Sequence, residues 1–297
     1  MSEIIWCQWS DIDLPSNFKL FHDESDLSDQ SVLDQMTVYI PKYMGGAASL
    51  NQMKQMPNLK LVQLLTAGYD DALNLLPAGV TLANARGVHD LSTAELTLAL
   101  TLASRSGIDT YLKGQQEQTW HRGVRTSIID AEVAIVGFGS VGQEIARVFL
   151  PFTENITGYT RSGANGTHRM DDLDNELSRY DIVVLITPLT DETKGLFDER
   201  RMKLMKPGSL LVNMARGPVV VTGDLVSVLH TGHIFAAVDV TDPEPLPAGH
   251  PMWSAPNLII SPHVGGNSTA FPARAKFLIA KQLNRLAQGE PIDNVVA

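Results

Sequence analysis

The sequence predicts an α/β fold with one doubly wound parallel sheet and a second, smaller α/β domain. Three observations carry this reading. Short apolar runs alternate with helical patterns from Val133 to Ser261, the pattern of a parallel sheet covered by helices. A shorter version of the same alternation precedes it. The 297 residues, 44% of them hydrophobic, are enough to fill two cores.

In the larger block the runs are Val133–Val136, Ile156–Tyr159, Ile182–Ile186, Ser209–Val212, Ile234–Val240 and Leu258–Ser261. Each is too short for a buried helix, and most are rich in Val or Ile, as strands covered on both faces are. Six such strands make a full doubly wound sheet. The smaller block offers Ile4–Cys7, Val38–Ile40, Leu61–Leu64 and Thr81–Ala83. Between the blocks, Ser92-Thr93-Ala94-Glu95 reads as a capping box that opens an apolar helix over Thr93–Ala103. The final stretch, Phe271–Ala287, places Phe277, Ile279, Leu283 and Leu286 at helical spacing. It is expected to pack back on the N-terminal block. Residues 1–91 and 268–297 would then form one discontinuous substrate domain, and residues 92–267 the other domain.

A net charge of −10 and a pI near 5.2 give no basic footprint for nucleic acid or an anionic membrane, which leaves a small solute as partner. The single cysteine, Cys7, cannot form an internal disulfide, and no thiol cluster suggests a metal. The N-terminal stretch has neither a basic nor a continuous apolar segment, and no run approaches the roughly 18 apolar residues of a membrane span. The expected location is cytoplasmic.

Gly137-Phe138-Gly139-Ser140-Val141-Gly142 fits the G-x-G-x-x-G pattern, which by itself is a weak signal. Here it directly follows the run AEVAIV and opens the helical pattern QEIARVF. In that context the glycines can make a tight turn, admit a pyrophosphate against the backbone and let helix and strand pack closely. The sheet is therefore expected to be a Rossmann-type dinucleotide-binding domain. Where NAD would require a carboxylate at the end of the next strand, the sequence has Thr160-Arg161-Ser162. Arg161 can pair with a 2′-phosphate, with the Thr160 and Ser162 hydroxyls as further donors, so NADP(H) is favoured. If Arg161 is only a solvated loop residue, NAD(H) stays possible.

Ligands of open parallel sheets sit beyond the carboxyl ends of the strands. Three of those ends deliver Met214-Ala215-Arg216, Asp239 followed by Glu244, and Ser261-Pro262-His263. Arg216 can clamp a substrate carboxylate and polarise a keto oxygen. His263 can exchange a proton with that oxygen near neutral pH, and Glu244 can hold its other ring nitrogen. Taken singly, each could be a strand cap or an ordinary loop residue.

The stretches VAIVGFGSVG, ITPLTDETKGLFD, LMKPGSLLVNMARGPVV, AAVDVTDPEPLPAGHPMW and NLIISPHVGG resemble successive motifs of the D-2-hydroxyacid dehydrogenase family, in that family's order and at its spacing. The resemblance spans Leu59 to Asn267 and includes the phosphoglycerate dehydrogenases. It implies a Rossmann domain beside a flavodoxin-like one, with Arg216 binding substrate, His263 as acid/base and Glu244 as its partner. It also implies Asp239 at the nicotinamide carboxamide and Thr187 and Pro188 on the adenosine side. Thr93, Thr193, Met214, Ala215 and Gly265 complete the cofactor lining. Backbone amides of Ala67 and Gly68 would bind the substrate carboxylate; Asn84 and Thr93 are lesser candidates for contacts near the cleft, and Tyr43 and Met44 could shape the pocket. A homodimer through the long helix and the chain after it is implied as well, whereas Trp120, His121 and Arg122 read as a structural connector.

The NAD-linked members carry a carboxylate where Thr160 stands. The turn therefore resembles that of NADPH-preferring glyoxylate/hydroxypyruvate reductases. Formate dehydrogenases of the family place a glutamine where Glu244 stands. Phosphite oxidation and a dinucleotide-sensing binding role share the same three residues and remain as alternatives.

Overall fold

The computed structural model describes residues 3–297. The chain divides into two units, one running up to His89 and completed by Thr269–Ala297, the other Asp90–Ser268.

In the first unit, β1 (Glu3–Trp6), β2 (Phe18–Phe21), β3 (Val38–Tyr39), β4 (Leu61–Gln63) and β5 (Thr81–Ala83) form a wholly parallel sheet in the order β2-β1-β3-β4-β5, the flavodoxin-like order. Successive side chains point to opposite faces, and both faces are covered. Ile5, Val38 and Leu61 pack with Phe271, Ala275, Ile279 and Leu283 of the C-terminal helix Phe271–Gln288, while Trp6, Tyr39, Val62 and Leu82 meet Leu33, Met36 and Met53. A buried amide pair ties this helix to the sheet. Gln282 donates to Gln63 Oε1 (2.9 Å) and to the Asp293 carbonyl (2.6 Å), and accepts from the Asp293 amide.

Two expectations need correction here. β2 was missed because it is an edge strand of three half-covered residues with the exposed Lys19 among them. Phe277 is not part of the buried face. The covered stripe runs Phe271, Ala275, Leu278, Ile279, Gln282 and Leu283, a spacing of i, i+4, i+7, i+8, and Phe277 lies off it at 73% exposure.

The second unit contains β6 (Val133–Val136), β7 (Ile156–Thr160), β8 (His168–Arg169), β9 (Ile182–Leu185), β10 (Leu210–Asn213), β11 (Phe235–Val238) and β12 (Leu258–Ile260). They form a parallel sheet in the order β12-β11-β10-β9-β6-β7-β8. Strand order reverses between β6 and β9, which is where a doubly wound sheet opens a crevice for ligand. The sheet has seven strands rather than six, because the two-residue β8 is too short and too polar to stand out in sequence. Its two faces bury separate clusters, one around Val136, Val183, Leu185 and Leu211, the other around Ile135, Val184, Val212 and Phe149.

The long helix runs Asp90–Ser106 and buries Ala94, Thr97, Leu100 and Thr101. It begins ahead of Ser92, so Ser92 and Glu95 lie within the helix and the expected capping box does not mark its start. A further helix, Ile108–Glu117, follows Gly107, whose φ of +72° is one glycine adopts without strain. Among the described residues no helix is long and apolar enough to cross a membrane, and no group of three potential metal ligands is present.

Candidate active site

The turn after β6 is shaped by what its three glycines exclude and admit. A Cβ on Gly137 would stand 2.6 Å from the Ile186 carbonyl oxygen, and one on Gly142 would stand 2.3 Å from the Gly137 oxygen. Any side chain at these two positions would push backbone apart. A Cβ on Gly139, by contrast, would meet nothing within 4 Å, so this residue faces open space at the head of the Ser140–Phe149 helix, whose first amides favour an anion. Phe138 packs its ring against Gly158. Next to Gly137, the Thr187 hydroxyl is buried without a hydrogen-bond partner. A buried polar group left this way costs about 1–3 kcal/mol, which a bound molecule offering a partner would remove. The residues of this turn fit a dinucleotide.

At the end of β7 the structure revises one role. The Gly163 amide donates to Thr160 Oγ1 (3.1 Å), Thr160 and Thr167 hydroxyls share a 2.7 Å bond, and Thr167 donates onward to the Ala164 carbonyl (2.7 Å). With Thr167's proton given to Ala164, the Thr160 proton goes to Thr167. Thr160 therefore shapes the loop and has no proton left for a phosphate. Arg161 is 90% exposed, with Glu192 at 3.6 Å, and Ser162 is exposed. Behind the strand, Tyr159 donates to Glu176 (2.5 Å), joined by Tyr180 (3.0 Å) and His168 (3.0 Å). Burial and these bonds push the Tyr159 hydroxyl well above its ordinary pKa. Burial also acts to raise the Glu176 carboxyl, but the Tyr159, Tyr180 and His168 contacts outweigh it and hold the group below the usual range. Thr193 resembles Thr160 in using its hydroxyl internally, donating to the Pro188 carbonyl (2.7 Å) and accepting from the Thr190 amide (2.8 Å).

Three strand ends converge beyond the carboxyl edge of the sheet. From β10, the buried Asn213 accepts from the Ala215 amide (3.1 Å) and donates to the Arg216 carbonyl (3.1 Å), fixing the turn that carries Arg216. A Cβ on the next residue, Gly217, would lie 1.9 Å from the Thr241 carbonyl oxygen, so the Arg216 turn sits directly against the segment leading to Glu244. From β11, Asp239 is 3% exposed. Its Oδ1 accepts from Ser261 Oγ (2.5 Å) and the Val264 amide (2.9 Å), and its Oδ2 accepts from the Gly265 amide (2.9 Å). From β12 comes His263, whose amide donates to the Asp239 carbonyl (2.7 Å) and whose φ is +54°, an uncommon left-handed conformation for a side-chain-bearing residue. Its Nδ1 meets Glu244 Oε1 at 2.5 Å. A Cβ on Gly265 would fall within 3.1–3.5 Å of Asp239 Oδ2, Met214 Cε and Thr93 Oγ1, which places all four around one point.

Ala67 and Gly68 lie in the first unit. Their loop is held by Thr66 Oγ1 donating to the Gly68 carbonyl (2.7 Å) and by Asn84 donating to the Ala67 carbonyl (2.7 Å). Asn84 thus supports the loop that the sequence singled out. Tyr43 packs its ring at a tilt against Phe271, ring centroids 4.0 Å apart. The supporting roles of two residues, Asn213 and Ser261, were missed in sequence. Both are polar residues closing an otherwise apolar strand run, which is the signal that could have found them.

The family model for D-isomer specific 2-hydroxyacid dehydrogenase, NAD binding domain, matches residues 98–265, more than half of the chain. The chain belongs to the D-isomer specific 2-hydroxyacid dehydrogenase family. As a member it is an NAD(P)-dependent oxidoreductase. It is 31% identical to a glyoxylate reductase of Aeropyrum pernix over 82% of this chain and 78% of that one. It is 32% identical to a mitochondrial formate dehydrogenase of Solanum tuberosum over 88% and 71%. Among solved structures it is similar to a D-isomer specific 2-hydroxyacid dehydrogenase from Xanthobacter autotrophicus Py2, solved in complex with NADPH and MES. That match has 27% identity and a TM-score of 0.79 and covers 100% and 98% of the two chains.

The Asp239 contacts lead to a test. Asp239→Ala would leave the Ser261 hydroxyl and the Val264 and Gly265 amides without their acceptor. Nicotinamide-linked kcat/KM should fall at least about tenfold and stability by about 1–3 kcal/mol. Steady-state kinetics and denaturant unfolding measure both, and unaltered turnover would contradict this reading of the loop.

Proposed function

We propose that this enzyme reduces a small 2-keto acid of the glyoxylate or hydroxypyruvate kind to the 2-hydroxy acid, with NADPH the preferred reductant. The observation that carries the reading is the 2.5 Å contact of His263 Nδ1 with Glu244, on a strand end next to the Arg216 turn. With Nδ1 donating to the carboxylate, the tautomer is fixed and Nε2 is the atom that exchanges a proton with substrate. Arg216 holds the substrate carboxylate through paired hydrogen bonds and draws electron density toward the keto oxygen. A nicotinamide held by the cofactor domain would supply the hydride for the carbonyl carbon. His263 Nε2 gives its proton to the oxygen, and the Glu244 carboxylate stabilises the imidazolium beforehand. Ala67 and Gly68, in the first unit, would be amide donors for a substrate carboxylate.

The Gly137–Gly142 turn, with Phe138, Ser140 and Val141, would hold the pyrophosphate. Thr187 and Pro188 would line the adenosine, and Met214, Ala215, Thr93, Gly265 and His263 the nicotinamide. Of the four acceptor positions on the Asp239 carboxylate, three are filled. The fourth, on Oδ2, suits a carboxamide N–H. NADPH is supported by the absence of a carboxylate at Thr160, by the outward guanidinium of Arg161 beside Ser162, and by the NADPH complex of the Xanthobacter relative. Formate oxidation is less well supported despite the Solanum match, because Glu244 gives the histidine a charged partner.

A homodimer through the cofactor domain belongs to the same reading. Leu112, Trp120 and Ile129 leave large apolar side chains in water (57%, 83% and 65% exposed), and Val124 between them is fully exposed. Apolar side chains exposed along one stretch of chain suit an association surface.

Arg161→Ala should weaken NADPH binding at least about tenfold while NADH is nearly unaffected; equal losses would remove Arg161 as the selector. His263→Ala should lower kcat by on the order of 10²–10⁴-fold with cofactor affinity retained, and a matching loss of cofactor binding would make the residue structural. The mass in solution should be twice the 32.4 kDa of one chain and return to one chain in Trp120→Asp. A monomeric parent would rule the dimer out.

A further inference from the structure

The first unit contains a cavity of about 600 Å³, a size that suits a small molecule. Arg86, Arg274, Phe277, Lys281, Asp293 and Asn294 are among its lining residues, and none of them has a role in the reaction above. Three segments build it: the loop after β5, the C-terminal helix and the turn that follows that helix.

Charge and shape in this cavity point the same way. Three cations face one carboxylate. Asp293 is taken by Lys281 Nζ at 2.7 Å and approached by Arg285 at 3.4 Å. Neither the Arg86 nor the Arg274 guanidinium has a hydrogen-bond or ion-pair partner among the described residues. The lining therefore carries an excess of two positive charges in a chain whose net charge is −10. On the helix, Arg274, Phe277 and Lys281 fall at i, i+3 and i+7, one face, with the Phe277 ring largely in water. The opposite wall is preformed. The Arg86 amide donates to Asn84 Oδ1 (3.2 Å), and the Arg86 carbonyl accepts from Asn294 Nδ2 (3.1 Å).

We propose that this cavity binds a small planar organic anion, a flat ring bearing a phosphate or carboxylate, with the ring on Phe277 and the anion between Arg86 and Arg274. Guanidinium groups suit this task because they bind phosphate or carboxylate through two parallel hydrogen bonds. An aromatic ring offers a stacking face to a flat ligand at little entropic cost.

Isothermal titration calorimetry on the full chain tests this, with AMP as probe and adenosine and ribose 5-phosphate as controls for charge and ring. The protein is first saturated with the reduced nicotinamide dinucleotide it binds more tightly, which occupies the dinucleotide site. One AMP should bind per chain, at least about tenfold tighter than either control. Arg86→Ala, Arg274→Ala and Phe277→Ala should each weaken AMP about tenfold or more while keto-acid turnover stays unaltered. All three side chains are exposed, so thermal unfolding should match the parent. The assignment is overturned if AMP gives no heat, if both controls bind as well as AMP, or if the variants bind AMP like the parent. A groove meant for a protein segment would give the first of these results. None of these readouts depends on which keto acid is turned over.

Discussion

The buried carboxylate of Asp239 is the constraint on which the rest of the site depends. A side-chain-bearing residue in the left-handed region, as His263 is, costs free energy on the order of 1–3 kcal/mol and persists only when its surroundings hold it there. The Ser261 hydroxyl and the Val264 and Gly265 amides all end on Asp239, so the loop is tied on both sides of the histidine. The imidazole is then turned so that Nδ1 meets Glu244. Charge-assisted bonds of this sort are about twice as strong as neutral ones. One carboxylate can therefore stabilise an otherwise unfavourable backbone geometry.

The parts of the fold that were legible in sequence are those where burial is two-sided. Runs such as Val133–Val136 and Ile182–Leu185 are wholly buried, and two-sided burial leaves no polar alternation to confuse the pattern. β2 and β8 were invisible because an edge strand is half covered and needs few apolar residues. Phe277 misled because spacing alone does not say which of two neighbouring stripes is buried; the contacts of Phe271, Ala275 and Ile279 settle that. At the site, Arg216, Glu244 and His263 were readable as polar residues at apolar strand ends. Side-chain hydrogen bonding was not. Thr160 looks like a donor in sequence, and only the path through Thr167 to Ala164 shows that its proton is spent.

Electrostatics divides the molecule in a way its net charge conceals. An acidic protein that handles anions must build its positive potential locally, and in the proposed reading Arg161, Arg216 and the Arg86–Arg274 pair supply it. Each lies on a loop or helix face whose neighbouring backbone or side chains are anchored by hydrogen bonds. A guanidinium on a fixed stem loses less freedom when it binds than one on a free loop. The net negative charge elsewhere favours solubility without acting on these sites at short range.

Gly217 has no room for a single added carbon against the Thr241 carbonyl, and this joins two parts of the centre. The turn bearing Arg216 and the segment bearing Glu244 share one backbone contact, so neither can shift without the other. In the proposed mechanism, carboxylate binding by Arg216 and support of His263 by Glu244 are thus coupled. The energetic effects of altering Arg216 and Glu244 together will not equal the sum of the separate effects, and divergence among relatives in one segment will be tolerated only where the other has moved with it.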